Sequence, residues 1–408
     1  MTRRVAITGA GAISSLGHNW QDIRQSLLQL KNRVRYMPEW DRFSELQTRL
    51  ASPVDDFILP EHYTIKKRRG MGRVGQLGVV ATEQALIHAG LHQSPLISSS
   101  ITGVAFGSAT GSSEAAMDFF SFLENKSISK INGTTYLRMM SHTAAVNISV
   151  LFGTCGRMYT TSSACTAASQ AIGFAYEAIR NGQQKIMIAG GAEELCPTQA
   201  AVFDTVYSAS LKNSAPQTSP RAFDAQRDGL VLGEGACTLI LEDWDHAVAR
   251  DANILAEVVG FATNCDGSHL VRPNKITMKQ VMVDALADAK LNTDQIDFIS
   301  GHGTATLHGD IAESLATQEV MGDKIPFSSI KSYIGHSLGA CGSLEAWTGI
   351  EMMRENWFAP NLNLDEIDPN CGQLDYIRHE PRELKANYFM SNNFAFGGIN
   401  TSLIFKRV

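Results

Sequence analysis

The sequence predicts an α/β protein built from two similar halves. Short apolar runs that end at glycines alternate with longer amphipathic stretches, as strands alternate with helices when helices cover a sheet. The order of these units in the second half repeats their order in the first, and 408 residues suffice for two domain-sized cores. We therefore predict one α/β half over residues 1–250 and a second over residues 251–408.

The composition is that of an ordinary globular protein, with 44% hydrophobic and 19% charged residues. A net charge of −6 argues against general nucleic-acid binding. The seven cysteines are widely scattered, which indicates reduced thiols rather than a disulfide framework. No run of about 18 apolar residues occurs, so we predict no membrane span and expect a cytoplasmic location.

The first half begins with a predicted strand at residues 5–8 and a glycine-rich stretch that resembles a dinucleotide-binding turn. Ser14 stands where that motif needs its third glycine, so we interpret Gly9 and Gly11 as a tight turn without a nicotinamide cofactor. The other predicted elements of this half are helices at residues 20–30 and 75–90, helical segments within 114–150, and strands at 101–106, 185–189 and 231–241. We expect Phe119, Phe120 and Phe122 of the helical segments to line an apolar space.

Three segments of the second half correspond, in order, to segments of the first. A predicted strand at residues 256–263 corresponds to the N-terminal strand, and residues 298–306 correspond to residues 104–110. The stretch from Gly335 to Glu345 leads into a helix that ends near residue 356. It occupies the place of a cysteine-containing helix in the first half, so a duplicated strand–helix unit is predicted.

That cysteine, Cys165, lies among small residues at the start of an alanine-rich amphipathic helix, which Asn181 and Gly182 end. The positive end of the helix dipole is expected to lower the pKa of the thiol. The unpaired N–H groups of the first turn can bind an acyl oxyanion. Cys165 is therefore a candidate nucleophile for acyl transfer, with a small buried core cysteine as the alternative.

Two of the eleven histidines, His302 and His336, lie in glycine-rich turns that follow apolar runs. Such turns deliver side chains to a site, although each histidine taken singly could be structural. Together with Cys165, at matched positions of the duplicated units, they indicate a catalytic function. A zinc site is not predicted, because His302 and His308 do not share a helical face and no ligand cluster accompanies them.

The densest basic run of this acidic chain, residues 65–73, contains Lys66 and Arg69. Two interpretations remain open for it. The run is either a solvated helix end or a landing site for an acidic partner, since a local cationic patch steers association.

Four motifs, in this order along the chain, resemble those of the β-ketoacyl-acyl-carrier-protein synthases, and the elongating Cys-His-His type is the most similar. The resemblance extends over nearly the whole chain. It implies the thiolase fold, a five-layered α-β-α-β-α sandwich, and usually a homodimer. The motifs are Ser162-Ser-Ala-Cys165, Gly301-His302-Gly-Thr-Ala-Thr306, Lys331-Ser-Tyr-Ile-Gly-His336 and Asn392-Asn-Phe-Ala-Phe396-Gly-Gly-Ile-Asn400.

The resemblance implies a decarboxylative Claisen condensation, which elongates fatty-acid, polyketide or polyene chains by two carbons. Both substrates would be carried on the phosphopantetheine arm of acyl carrier protein, with no further cofactor and no metal. The resemblance implies that Cys165 is the nucleophile, that the N–H groups of Cys165 and Phe396 form the oxyanion hole, and that Phe396 is also the gate. It implies that His302 and His336 donate to the enolate, that Lys331 supports the triad, that Glu345 is a supporting carboxylate, and that Thr304 and Thr306 lie near the malonyl group. Thr110 and Phe203 would belong to the acyl pocket, and Lys66 and Arg69 would contact the carrier protein.

The chain departs from the family pattern at two positions. Leu307 replaces a proline that stiffens the His302 turn, and Ala395 replaces a glycine of the gating loop. Chain-length range, gate movement and partner choice are therefore open.

Three other classes of protein fit the sequence less well. A non-catalytic chain-length subunit would lack Cys165, and a thiolase would have a second catalytic cysteine late in the chain, where Phe394-Ala-Phe396 stands. A cysteine hydrolase would not need two histidines in glycine-rich turns. The active half of a heterodimer with a chain-length-factor-like partner stays open.

Overall fold

A computed structural model describes residues 2–408. Its helices and strands follow one another in the predicted alternation. The strands are β1 Val5–Ser14, β2 Arg35–Tyr36, β3 Leu50–Ser52, β4 Thr102–Gly107, β5 Met158–Thr161, β6 Ile186–Glu193, β7 Leu232–Gly233, β8 Gly235–Asp243, β9 Ala256–Cys265, β10 Phe298–Ser300, β11 Pro326–Ser328, β12 Trp357–Phe358, β13 Asp375–Tyr376, β14 Arg382–Glu383, β15 Tyr388–Ala395 and β16 Ile399–Lys406.

Several helices begin at side-chain caps such as Asn19 and Asn274, which accept from backbone N–H groups of the first turn. The helices are α1 Trp20–Leu28, α2 Ile65–Arg68, α3 Arg73–His88, α4 Ser113–Asn125, α5 Thr135–Met139, α6 Thr143–Phe152, α7 Ala167–Arg180, α8 Pro197–Thr205, α9 Trp244–Ala249, α10 Lys275–Ala289, α11 Leu307–Met321, α12 Lys331–Ile334 and α13 Cys341–Glu355.

The two halves have the same sheet topology. The strand order is β5-β4-β6-β8-β1 in the first half and β11-β10-β15-β16-β9 in the second, with β13 added beyond β11. When these five strands of each half are numbered in chain order, the order across the sheet is 3-2-4-5-1 in both halves. The first strands of the two halves pair antiparallel over three residues, from Val5 opposite Val258 to Ile7 opposite Ala256. The predicted duplication is therefore visible in the backbone.

Five layers result from the way the helices cover these sheets. Helices α3 and α6 pack on the outer face of the first sheet, and α10 packs on the outer face of the second with α11 beside it. Helices α7 and α13 lie between the sheets and contact each other. They contribute Ile172, Ile179, Leu344 and Ile350 to the largest hydrophobic core. The predicted α/β class and its α-β-α-β-α layering are confirmed.

The interpretation of Gly9 and Gly11 as a tight turn is wrong, because β1 continues through both residues. A Cβ at Gly9 would lie 2.4 Å from the carbonyl oxygen of Ala85, and one at Gly11 would lie 2.3 Å from that of Ala81. The two glycines therefore let α3 lie directly on the strand, and they form no phosphate-binding turn.

The predicted position of the phenylalanines in α4 is also corrected. Phe120 and Phe122 are exposed rather than lining an apolar space. Leu123 in the same helix and Val150 in α6 are exposed as well, at 71% and 78%. Among residues 2–408, no helix is both long and apolar enough to span a membrane.

The fold brings the candidate residues to one edge of the sheets. The segment after β5 carries Cys165, the segment after β10 carries His302, and the one after β11 carries Lys331 and His336. Strand β15 ends just before Phe396. Ligands of α/β proteins bind where the carboxyl ends of parallel strands meet, and β4, β5, β10, β11 and β15 pair in parallel within their sheets.

Candidate active site

The nucleophile candidate lies in a sharp turn between a strand and a helix. Cys165 is in the 3₁₀ turn Ala164–Thr166, which leads directly into α7. Ala164 has a φ of 50°, a left-handed conformation that is uncommon for a residue with a Cβ. Such strain persists where the surrounding structure fixes it, as it often does at functional sites. The turn holds the thiol 95% buried, at the wall of a cavity.

The thiol contacts His336. The distance from His336 Nε2 to Cys165 Sγ is 3.0 Å. The backbone of His336 is fixed because its N–H donates to Val231 O at 2.7 Å and its carbonyl accepts from Gly233 N at 3.0 Å. Its Nδ1 has no hydrogen-bond partner among the described residues. The ring is therefore held by its backbone and by the sulfur, so Nε2 can exchange a proton with the thiol.

The expected lowering of the thiol pKa does not occur. Burial raises the pKa of Cys165 to about 12, although Lys331 and the backbone N–H groups of Phe396 and Cys165 act in the opposite direction. Desolvation of a thiolate in this enclosed position outweighs the helix terminus and the nearby ammonium. The thiol is therefore neutral at rest and needs a base when it attacks.

His302 is oriented by two donors on the same nitrogen. Lys331 Nζ lies 3.1 Å and Asn393 Nδ2 3.2 Å from its Nδ1. Because both groups are hydrogen-bond donors, Nδ1 accepts, and the neutral ring carries its proton on Nε2. Burial and the charge of Lys331 hold the pKa values of His302 and His336 well below their usual range. The two rings cross at 89° with centroids 5.2 Å apart.

A buried ion pair supports this arrangement. Lys331 Nζ pairs with Glu345 Oε1, and the side chains of both residues are at most 1% exposed. Burial lowers the pKa of Lys331, but the charge of Glu345 outweighs it, so the pKa is raised and Lys331 stays protonated. Asn393 Nδ2 donates to Glu345 Oε2 at 2.7 Å. Sequence reasoning assigned Asn393 no role, although it lies inside the fourth recognised motif.

Two carboxylates hold the turn that lacks its proline. Glu313 accepts from the N–H groups of His302 at 2.6 Å and Gly303 at 2.8 Å. Asp310 accepts from Thr304 N and Ala305 N, each at 3.1 Å. Four consecutive N–H groups are thus fixed from α11, and Leu307 does not leave the turn free. Glu313 was not predicted as a site residue. Burial raises its pKa to about 8.

The gate candidate is the turn that follows β15. Phe396 is half-buried, and its ring packs on Phe203 with centroids 5.2 Å apart. Gly397 N donates to Leu270 O at 2.7 Å, and Gly398 N donates to Ala395 O at 3.0 Å. The turn is therefore tied to the loop after β9, and Ala395 is its last residue paired in the sheet.

One cavity of about 340 Å³ unites most of the predicted residues. Cys165, His302, His336, Thr304, Thr306, Phe203 and Phe396 all line it. Thr304 Oγ1 and Thr306 Oγ1 lie 2.9 Å apart on its wall. Lys331 and Glu345 are behind this wall and do not line it.

Thr110 is not in the lining of this cavity. Its hydroxyl donates to Glu193 Oε1 at 2.8 Å and accepts from Gln199 Nε2 at 3.0 Å. Gln199 precedes Phe203 by one helical turn in α8, so Thr110 and Phe203 are connected through this helix. The buried Glu193 also accepts from Gly339 N at 3.0 Å, which joins the β4 loop to the His336 segment. Neither Glu193 nor Gln199 was predicted as a site residue.

The basic run forms α2 and its end. Lys66, Lys67, Arg68 and Arg69 are all exposed, and none makes an ion pair within residues 2–408. The sequence alone is consistent with either of two interpretations of this run, a solvated helix end or a landing site for an acidic partner. A surface of four unpaired cations on an acidic protein favours the landing site.

Two groups of donor atoms are close enough to hold a metal ion. Cys165, His302 and His336 form one group, and His302, Cys341 and Glu345 form the other, with the ligand atoms of each group within 4.8 Å of one another. In the second group the Lys331 ammonium already contacts His302 and Glu345, so a cation would face like charge. The first group contains the thiol–imidazole pair, so an ion there would occupy the two atoms between which a proton can pass.

Comparison with known proteins agrees with this geometry. Residues 2–247 match the family profile described as Beta-ketoacyl synthase, N-terminal domain, and residues 255–365 match that of the C-terminal domain. Together the two profiles span most of the chain. The chain belongs to the β-ketoacyl synthase family.

Individual proteins show the same relationship. The chain is 34% identical to 3-oxoacyl-[acyl-carrier-protein] synthase 1 of Haemophilus influenzae, over 99% of both chains. It superposes on the crystal structure of a β-ketoacyl synthase from Burkholderia phymatum with a TM-score of 0.99, 53% identity and full coverage of both chains. It also matches the ishigamide ketosynthase/chain length factor, with a TM-score of 0.91, 29% identity and full coverage of both chains.

Proposed function

We propose that this protein is a 3-oxoacyl-[acyl-carrier-protein] synthase that joins a malonyl unit to an acyl group held on Cys165. The contact of Cys165 Sγ with His336 Nε2, in one cavity with His302, carries this proposal. A thiol with an adjacent base performs covalent acyl transfer, and the two imidazoles of the same cavity suit an enolate.

The first step loads the enzyme. The thiol of Cys165 attacks the thioester carbonyl of the acyl substrate, and its proton passes through His336 Nε2 to the departing thiolate of the carrier arm. The carbonyl oxygen becomes negative and is held by the N–H groups of Cys165 and Phe396, which already lie beside the sulfur. The products are an acyl-Cys165 thioester and the free carrier thiol.

The second step forms the nucleophilic carbon. The malonyl thioester loses CO₂, and the electron pair of the broken C–C bond moves onto the thioester oxygen as an enolate. His302 Nε2–H faces this position as a donor, and His336 donates in its Nε2–H tautomer, after its one ring proton has moved from Nδ1 to Nε2 following loading. Each donor of this kind contributes roughly 2.7–4 kcal/mol to lowering a barrier. Because the pKa values of both histidines are low, both rings are neutral, and each neutral ring has one N–H group that can donate to the enolate oxygen.

The third step makes the product. The enolate carbon attacks the acyl-Cys165 carbonyl, and the tetrahedral oxyanion occupies the same N–H pair as in loading. Collapse expels the Cys165 sulfur as a thiolate, which takes up one proton from solvent by way of His336 Nε2 and returns to the neutral thiol, so each condensation consumes one proton. The 3-oxoacyl chain on the carrier is two carbons longer. The reaction needs no metal and no cofactor besides the carrier's phosphopantetheine arm, since the chain's own amides and imidazoles hold both negative charges.

An acyl carrier protein is the proposed source of both thioesters. The name of the Haemophilus influenzae relative, 3-oxoacyl-[acyl-carrier-protein] synthase 1, specifies substrates carried on acyl carrier protein. Lys66 and Arg69, with the two cations between them, supply an unpaired basic surface that an acidic carrier can contact.

The exposed apolar face of α4, α6 and β5 is proposed as the contact with a second copy of the chain. Strand β5 ends the sheet on one side, and Met158 at its start is 41% exposed. An unpaired edge beside exposed apolar residues favours strand pairing. Sedimentation should give a dimer of identical chains. A monomer that co-purifies only with a related second chain would favour the heterodimer of the kind named for the ishigamide ketosynthase/chain length factor.

The decisive test is acylation of the nucleophile. Wild-type protein incubated with an acyl carrier substrate should gain the acyl mass on Cys165 by intact-protein and peptide mass spectrometry, and Cys165→Ala should gain none and not condense. Cys341→Ala is the matched control, because Cys341 is also buried and its Sγ contacts Cys165 O at 3.2 Å. Condensation by Cys165→Ala would overturn the proposal.

A further inference from the structure

Among the residues that the structure describes, the wall of the active-site cavity contains one arginine and no lysine. Arg272 lies in the segment between β9 and α10, and its side chain is exposed. Its backbone N–H donates to His269 Nδ1 at 3.0 Å. The guanidinium has no ion pair and no hydrogen bond to any of residues 2–408. An unpaired guanidinium at the open side of a substrate cavity is free to bind an anion.

The carboxylates of the same cavity do not neutralise this cation. Asp266 is bound by Thr277 Oγ1 and by Asn400 Nδ2, the latter at 2.7 Å. Glu313 accepts the two N–H groups of the His302 turn. Both carboxylates are thus committed inside the fold. The wall also carries the exposed imidazole of His308, in the first turn of α11, which lacks a side-chain partner within the described residues.

We propose that Arg272, with His308 beside the same cavity, binds the phosphate of the phosphopantetheine arm while the thioester lies at Cys165. This proposal rests on the proposed function. The arm enters from the open side, its thioester reaches the buried thiol, and its only charged group is the phosphate at the outer end. A guanidinium matches phosphate oxygens with two parallel N–H donors, which a lysine does not. Arg272 therefore selects substrates that carry a phosphorylated arm.

Two malonyl thioesters that differ only in this phosphate provide the test, malonyl-phosphopantetheine and malonyl-pantetheine. For wild-type enzyme, kcat/KM should be roughly ten-fold higher with the phosphorylated substrate, as expected when a hydrogen bond to a charged group is gained. In Arg272→Ala the ratio of the two kcat/KM values should fall to near one, and Arg272→Lys should restore part of it. His308→Ala should lower the ratio less.

Lys275→Ala is the matched control, because Lys275 is a nearby cation that pairs with Glu319 and does not line the cavity. It should keep the wild-type ratio. An unchanged ratio in Arg272→Ala, or an equal loss with both substrates, would overturn the assignment of Arg272. Absence of turnover of either substrate by wild-type enzyme would instead contradict the proposed function.

Discussion

Lys331 Nζ lies 3.1 Å from His302 Nδ1 while it pairs with Glu345 on its other side. This relationship fixes the proton of the His302 ring on Nε2 and makes the imidazole a donor toward the cavity. Burial, together with the charge of this ammonium, holds the pKa values of both histidines low. The buried cation therefore fixes which nitrogen of His302 carries the proton.

Replacing this cation should separate stability from catalysis. Lys331→Met leaves the Glu345 carboxylate buried without a counter-charge, with Asn393 as its remaining hydrogen-bond donor, which should cost about 3–5 kcal/mol in the free energy of unfolding. The rate of malonyl decarboxylation should fall by roughly 100-fold or more, since Lys331 no longer orients the His302 Nε2–H donor toward the enolate. Urea unfolding and CO₂ release measure the two effects. The double variant Lys331→Met/Glu345→Gln should regain most of the stability but not the decarboxylation, and recovery of both would contradict the role given to Lys331.

Glu313 should make stability fall as the pH rises. Burial raises its pKa in the folded protein to about 8, above the ordinary value of 4.5 for a glutamate carboxyl. The folded state therefore holds the proton more tightly, and the stabilisation present below the unfolded pKa is lost as pH rises through the folded one. Glu313→Gln removes this titration. The difference in unfolding free energy, wild type minus Glu313→Gln, should decrease from pH 4.5 to pH 8, and a flat difference would contradict the raised pKa.

Ala395→Gly tests whether the methyl group restrains the gate. Glycine costs about 0.5–1 kcal/mol relative to alanine inside a strand, so the last pair of the β15–β16 ladder should open more often. Amide hydrogen exchange at residues 395–399 should accelerate, while exchange in the middle of β15 should not change. Protection equal to that of the wild type would show that Phe203 and the bond to Leu270 hold the turn, and not Ala395.

Reversing two charges in α2 should weaken carrier binding without affecting the chemistry. Lys66→Glu/Arg69→Glu should raise KM for malonyl carrier protein at low salt, with a smaller effect as salt screens the charges. Turnover of malonyl-pantetheine, which has no carrier, should be unchanged. Lys324→Glu, an exposed cation outside the run, is the control for net charge. Equal KM values for all three proteins would exclude α2 as the docking surface.

Much of the fold and of the site was predictable from local patterns. Strand and helix periods gave the order of the elements, and the motifs gave Cys165, His302, His336 and Lys331 as a group. Glu313, Glu193 and Gln199 were not predicted as site residues, because a buried carboxylate or amide that accepts backbone N–H groups has no local sequence signal. Its partners can be far away in the chain: Gly339 lies 146 residues from Glu193, and Thr110 lies 89 residues from Gln199.

The sequence by itself determined the α/β class, the duplicated halves, the absence of an 18-residue apolar span and the residue types of the catalytic site. The tertiary structure alone decided their electrostatics. A helix terminus beside Cys165 predicted a lowered thiol pKa, whereas packing between two sheets removes water from the sulfur and raises the pKa to about 12. Desolvation depends on everything that surrounds a group in space, and a linear pattern records only what adjoins it along the chain.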